Sequence, residues 1–179
     1  TTLFRSDLDA RRIGFEYNGL SAHPYQGLTA MKCGVTMSRF VVKKVAVLGA
    51  GVMGAQIAAH LVNVRVPVVL FDLPAKEGPK SAIAQKAIAN LKKLKPSPLG
   101  VAAEADLITP ANYEEHLAQL KDCDLVIEAI AERMDWKRDL YHQIAPFVAP
   151  HAILASNTSG LSITALSEAL PEQLRHRFC

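Results

Sequence analysis

Only three cysteines occur among the 179 residues, Cys33, Cys123 and Cys179; they share no metal-ligand spacing and cannot pair evenly. A disulfide framework and a metal site are therefore not expected, and a reduced, cytoplasmic compartment is. No apolar run approaches the ~20 residues that a bilayer-crossing helix needs. A cationic stretch followed by an apolar core, the mark of a secretory signal, is missing from the first residues. Charge of one sign is also scarce: 20 basic residues face 17 acidic ones, the net charge is +3, and the basic residues are scattered. Neither nucleic acid nor a membrane surface is an expected partner. What remains, 50% hydrophobic and 21% charged residues, suits one globular domain with some excess.

The excess is at the front. Residues 1–36 show no helical or alternating period and are broken by turn formers. They are expected to be an unstructured or non-native leader, with TTLFRS matching translated adapter sequence and Met37 a natural start. A genuine interaction arm is the other reading. The domain is expected over 37–179.

From Lys43 onward short apolar runs alternate with amphipathic segments. Strands are expected at Val45–Leu48, Val66–Phe71, Leu125–Ile130 and Ile153–Ala155. Helices are expected over Gly51–Val62, with Val52, Ile57, Ala58, Leu61 and Val62 buried, and over Lys80–Leu94, with Ile83, Ala87, Ile88 and Leu91 buried. Leu107-Ile108 suggests a short strand. Thr109-Pro110 reads as a cap and first residue of a helix over Ala111–Leu120 that buries Tyr113, Leu117 and Leu120. A long helix from Glu132 carries Trp136, Leu140, Ile144, Phe147 and Val148 on one side. A last helix covers Ile163–Leu170, and Arg177-Phe178-Cys179 begins another strand. The alternation predicts an α/β fold with a doubly wound, mostly parallel sheet.

Between the first strand and helix stands Gly49-Ala50-Gly51-Val52-Met53-Gly54. Gly49 permits a sharp turn, Gly51 lets a pyrophosphate approach the backbone, and Gly54 lets helix and strand pack closely. Helix N–H groups and the positive end of the helix dipole then face an anion. Asp72 ends the second strand, 18 positions after Gly54, a spacing suited to an acceptor for ribose hydroxyls. Leu73-Pro74 follows it, with no arginine for a 2′-phosphate, which favours NAD over NADP. A surface aspartate capping the next helix is the plainer alternative.

Four blocks in order, GAGVMGAQIA, VVLFD, DLVIEAIAE and ILASNTSGLSIT, resemble the NAD-binding Rossmann domain of L-3-hydroxyacyl-CoA dehydrogenases. Bacterial fatty-acid-oxidation enzymes fused to an enoyl-CoA hydratase are similar, and the likeness covers Val41 to Cys179. The resemblance implies that Glu132 lies beside the nicotinamide half of NAD, that Lys137 contacts NAD, and that Ser159 meets the substrate's 3-oxygen near the nicotinamide. Read without it, Glu132 is a favourable acid at a helix N-terminus, Lys137 a solvated helix lysine, and Ser159 an ordinary turn residue. Gly160 stands where the family more often has serine or threonine. Lys92, Lys93 and Lys95 meet CoA phosphates or are simply solvated.

The resemblance also implies a catalytic histidine in a block like GxHFFNP, expected shortly beyond Cys179; none of the six histidines present fits that block. A helical C-terminal domain is likewise expected to be absent. An acyl-CoA substrate and a homodimer or multifunctional chain are implied partners. A related hydroxy-acid or sugar-acid dehydrogenase, or a non-catalytic nucleotide-binding module, stays open.

Overall fold

Val45–Leu48 (β1) is inaccessible to solvent at every position, as a strand covered on both faces must be. The structure, a computed structural model, describes residues 40–179. The expected leader, the Met37 start, His23 and Cys33 lie outside the described residues.

After β1 come α1 (Val52–Asn63), β2 (Val68–Asp72), α2 (Ala82–Leu91), β3 (Ile108–Asn112), β4 (Leu125–Glu128), α3 (Met134–Ile144), β5 (Ile153–Ser156), α4 (Ile163–Ala169) and α5 (Glu172–Arg175). The strands form one sheet in the order β3-β2-β1-β4-β5, every pair parallel. Successive residues of a strand point to opposite faces, and the core divides accordingly. Val45 and Val47 pack with α1 and α2, while Ala46 and Leu48 pack with α3 and α4. The expected doubly wound α/β sheet is therefore present, with helices on both faces. Arg177-Phe178-Cys179 adds a parallel bridge, Phe178 beside Leu154, so the strand expected there does begin, next to β5.

One expected element is overturned. Thr109-Pro110 does not start a helix over Ala111–Leu120; both residues lie in β3. A residue before proline is pushed out of the helical region, and β3 is an edge strand, where a missing N–H is tolerated. Asn112 then ends the strand: its Oδ1 accepts from the N–H groups of Glu114 (3.0 Å) and Glu115 (2.9 Å), which turns the chain. Tyr113, Leu117 and Leu120 are buried as expected, but from a turn and a short 3₁₀ segment (Leu117–Asp122).

Three helix faces also differ. α1 buries Gly54, Ala55, Ala58, Ala59 and Val62, whereas Val52 is 76% exposed and Ile57 and Leu61 are half-buried. Small residues let α1 lie close to the sheet, and Val52 sits at its open end. Ile83 of α2 and Trp136 of α3 are likewise exposed.

Candidate dinucleotide site

The turn between β1 and α1 is built so that only glycine serves at two positions. Gly49 has φ +106°, and a Cβ there would stand 2.7 Å from the Ala129 carbonyl oxygen. A Cβ on Gly54 would lie 1.8 Å from the Gly49 carbonyl oxygen. Gly51 differs: a Cβ there would meet no protein atom within 4 Å, so its outer side is open. Gly51 also caps α1 without any side-chain hydrogen bond, and the first turn carries no acid. The unpaired N–H groups and dipole of that turn therefore face open space past Ala50, Val52 and Met53.

Asp72, at the carboxyl end of β2, holds this turn. Its Oδ2 accepts from Ala50 N–H (2.6 Å) and its Oδ1 from Leu73 N–H (2.7 Å). Beside it lies a cavity of about 500 Å³, lined among others by Gly49, Gly51, Asp72, Tyr113, Ile130 and Trp136. It sits past the carboxyl ends of β1, β2 and β4, where ligands bind in open α/β sheets. Tyr113 stacks on Phe71 with ring centroids 5.8 Å apart, and its buried hydroxyl has no hydrogen-bond partner.

A second cluster joins the β4–α3 connection to the loop after β5. Glu132 accepts from the Thr158 hydroxyl and, through Oε1, from Ser159 N–H at 2.9 Å. The Thr158 hydroxyl first, then the Ser159 N–H, hold its carboxyl below the usual range, with help from the charge of Lys137. Glu132 and Ser159 are thus brought together, both exposed. Neither is among the residues lining the cavity beside Asp72.

Lys137 is not a solvated lysine. Its side chain is 1% exposed, and its Nζ reaches both oxygens of Glu128, whose side chain is 0% exposed. The same carboxylate accepts from Tyr141 Oη (3.0 Å), Ser156 Oγ (2.6 Å) and Ile130 N–H (2.8 Å). Two of the three ammonium protons are committed to Glu128, which leaves one. Lys92, meanwhile, pairs with Asp106 on the surface. Sequence reasoning passed over Glu128 and Tyr113. The signal for Glu128 was available: an acid ending an apolar parallel strand needs a buried cation, and Lys137 follows nine positions later.

An open parallel sheet with an uncapped helix N-terminus, a glycine turn and an acid on the neighbouring strand defines a dinucleotide-binding α/β domain. Residues 44–178 match the family described as 3-hydroxyacyl-CoA dehydrogenase, NAD binding domain, and the chain belongs to that family. A Rickettsia felis relative named for the fatty acid oxidation complex trifunctional enzyme is 44% identical over 138 residues, 76% of this chain and 19% of its own length. A 3-hydroxybutyryl-CoA dehydrogenase of Bradyrhizobium diazoefficiens is 36% identical over 129 residues, 72% of this chain and 44% of its own. The solved (S)-3-hydroxybutyryl-CoA dehydrogenase of Ralstonia eutropha superposes with a TM-score of 0.61 at 31% identity, covering 77% of this chain and 48% of that one. The chain thus spans less than half the length of each of these relatives. The residues present fit the cofactor that the family implies: the outer side of Gly51 is open, the α1 N-terminus is uncapped, and Asp72 lines the cavity beside the turn.

Proposed function

We propose that this chain is the cofactor-holding part of an NAD-dependent (S)-3-hydroxyacyl-CoA dehydrogenase of fatty acid β-oxidation. The observation that carries the reading is the glycine turn held by the Asp72 carboxylate at the mouth of the cavity. Gly49, Ala50, Gly51, Val52, Met53 and Gly54 hold the pyrophosphate with backbone N–H groups, and Asp72 accepts from the adenosine ribose. When bound, NAD accepts the hydride that leaves C3 of the 3-hydroxyacyl-CoA as it becomes 3-oxoacyl-CoA.

Glu132 places the nicotinamide half, Ser159 orients the substrate's 3-oxygen, and Lys137, sealed against Glu128, keeps one ammonium proton for its contact with NAD. The proton acceptor in this reading is a histidine outside these residues; among the described residues no histidine lines the cavity. A histidine base suits such a step because its pKa lies near working pH. The whole protein acts on acyl-CoA as a homodimer or as part of a multifunctional chain; the relative named as a trifunctional enzyme of the fatty acid oxidation complex supports the second form. The free thiols of Cys123 and Cys179 suit a reducing cytoplasm. Among the described residues no helix is long and apolar enough to cross a membrane.

Titration with NADH tests the reading. Trp136 is the sole tryptophan and lines the cavity, so one NADH per chain should quench its emission. No binding at millimolar NADH would refute the cofactor role. The purified 179-residue chain should not oxidise 3-hydroxybutyryl-CoA, and turnover at the rate of longer relatives would refute the external base.

A further inference from the structure

Trp136 is 48% exposed, although a tryptophan ordinarily hides most of its apolar surface. It borders the cavity beside Asp72, as do Leu140 and Gln143 at i+4 and i+7 on the same face of α3. The indole is held from elsewhere. The Arg133 guanidinium lies over the ring, 4.5 Å from its centroid, and is itself fixed by two hydrogen bonds to Asp135, at 3.1 and 2.5 Å. Arg133 does not line the cavity, so the cavity meets a part of the indole that the guanidinium leaves free.

Gly51 and Asp72 border this cavity from the turn and the end of β2, α3 borders it from the other side of β4, and Leu73 and Ile130 add apolar walls. A dinucleotide with its pyrophosphate on the turn and its ribose on Asp72 carries the adenine one glycosidic bond from that ribose, inside this space. The nicotinamide half goes instead to Glu132 and Ser159, neither of which lines the cavity. We propose that Trp136 is the aromatic wall of the adenine site, its indole packing against the base. Contact between a flat purine and an indole removes apolar surface of both from water, and the ring quadrupoles favour an offset or edge-on arrangement. This inference rests on the NAD reading above and adds the residue that meets the base.

The test compares Trp136→Ala and Trp136→Phe with the unaltered chain. Calorimetry measures NADH, AMP, NAD and nicotinamide cytosine dinucleotide, and thermal midpoints are recorded without ligand. Trp136→Ala should weaken NADH and AMP about tenfold, and Trp136→Phe, which keeps a ring, should retain most of the affinity. The preference for NAD over the cytosine dinucleotide should narrow in the alanine variant, because a smaller base has less contact with the indole to lose. In the unaltered chain AMP, which has no nicotinamide, should change the emission of Trp136. AMP that binds without altering that emission overturns the inference, and so do NADH and AMP affinities that the alanine variant leaves unchanged. A loss equal for the adenine and cytosine dinucleotides, with a lower melting point, overturns it too, by making the indole structural. If the unaltered chain binds neither NADH nor AMP, the cofactor reading itself falls and takes this inference with it.

Discussion

Lys137 Nζ stands 2.6 Å and 2.7 Å from the two carboxylate oxygens of Glu128, inside the protein and out of reach of water. This pair ties α3 to the end of β4, while Ser156 and Tyr141 bind the same carboxylate and draw in β5. Removing one partner leaves the other charged and buried. Glu128→Gln and Lys137→Met should each destabilise the domain by about 3–5 kcal/mol. The double variant should lose less than the sum, because neither charge is stranded. Urea unfolding of the three variants decides this, and additive losses would show that the pair is not coupled.

Two glycines of one turn should respond oppositely to the same methyl group. Gly54→Ala drives a Cβ against the Gly49 carbonyl oxygen at 1.8 Å, and backbone cannot yield as a side-chain tip can. The expected loss is about 3 kcal/mol of stability. Gly51→Ala meets open space, so stability should stay within about 1 kcal/mol while NADH affinity drops about tenfold or more. Denaturation curves and NADH titrations separate the two effects.

Asp72 serves both the fold and the proposed ribose site. Asp72→Ala frees the N–H groups of Ala50 and Leu73, at a cost of about 2 kcal/mol. It should also weaken NAD binding and reduce the preference for NAD over NADP, since the carboxylate repels a 2′-phosphate. Calorimetry with both cofactors is the check. Unchanged affinity for each would remove Asp72 from the ribose.

The contact between Glu132 and the β5–α4 loop should be acid-sensitive. The folded carboxyl titrates below its ordinary 4.5, chiefly through the Thr158 hydroxyl and then the Ser159 N–H. A carboxyl depressed in this way contributes fully above its unfolded value and loses that contribution as pH falls through the folded one. The Ser159 amide resonance should therefore titrate with a midpoint below 4.5, and Glu132→Gln should abolish that step. A midpoint at or above the ordinary value would contradict the geometry.

Much of the fold was legible because its signals are local. The bounds of β1 follow from four apolar residues before a glycine, and α1 begins where Gly51 ends the turn. Thr109-Pro110 misled because the same dipeptide suits a helix start and an edge strand; whether β3 sits at an edge depends on the order of all the strands. Trp136 had helical spacing with Leu140 and Ile144, yet spacing does not say which side of α3 meets the sheet. Lys137 shows the limit most plainly. Nothing within its own helix distinguishes a solvated lysine from one sealed against Glu128.

By itself the sequence determined the alternating strands and helices, the glycine turn, the acid that ends β2 and the family to which the chain belongs. These are patterns of neighbours along the chain, set by backbone sterics and hydrophobic period. Only the tertiary structure decided that β3 is a strand, that Glu128 and Lys137 neutralise one another, that Glu132 meets Ser159, and that Tyr113 lines the cavity beside Asp72. Each depends on groups far apart in sequence whose hydrogen bonds and desolvation are defined only once the sheet has assembled.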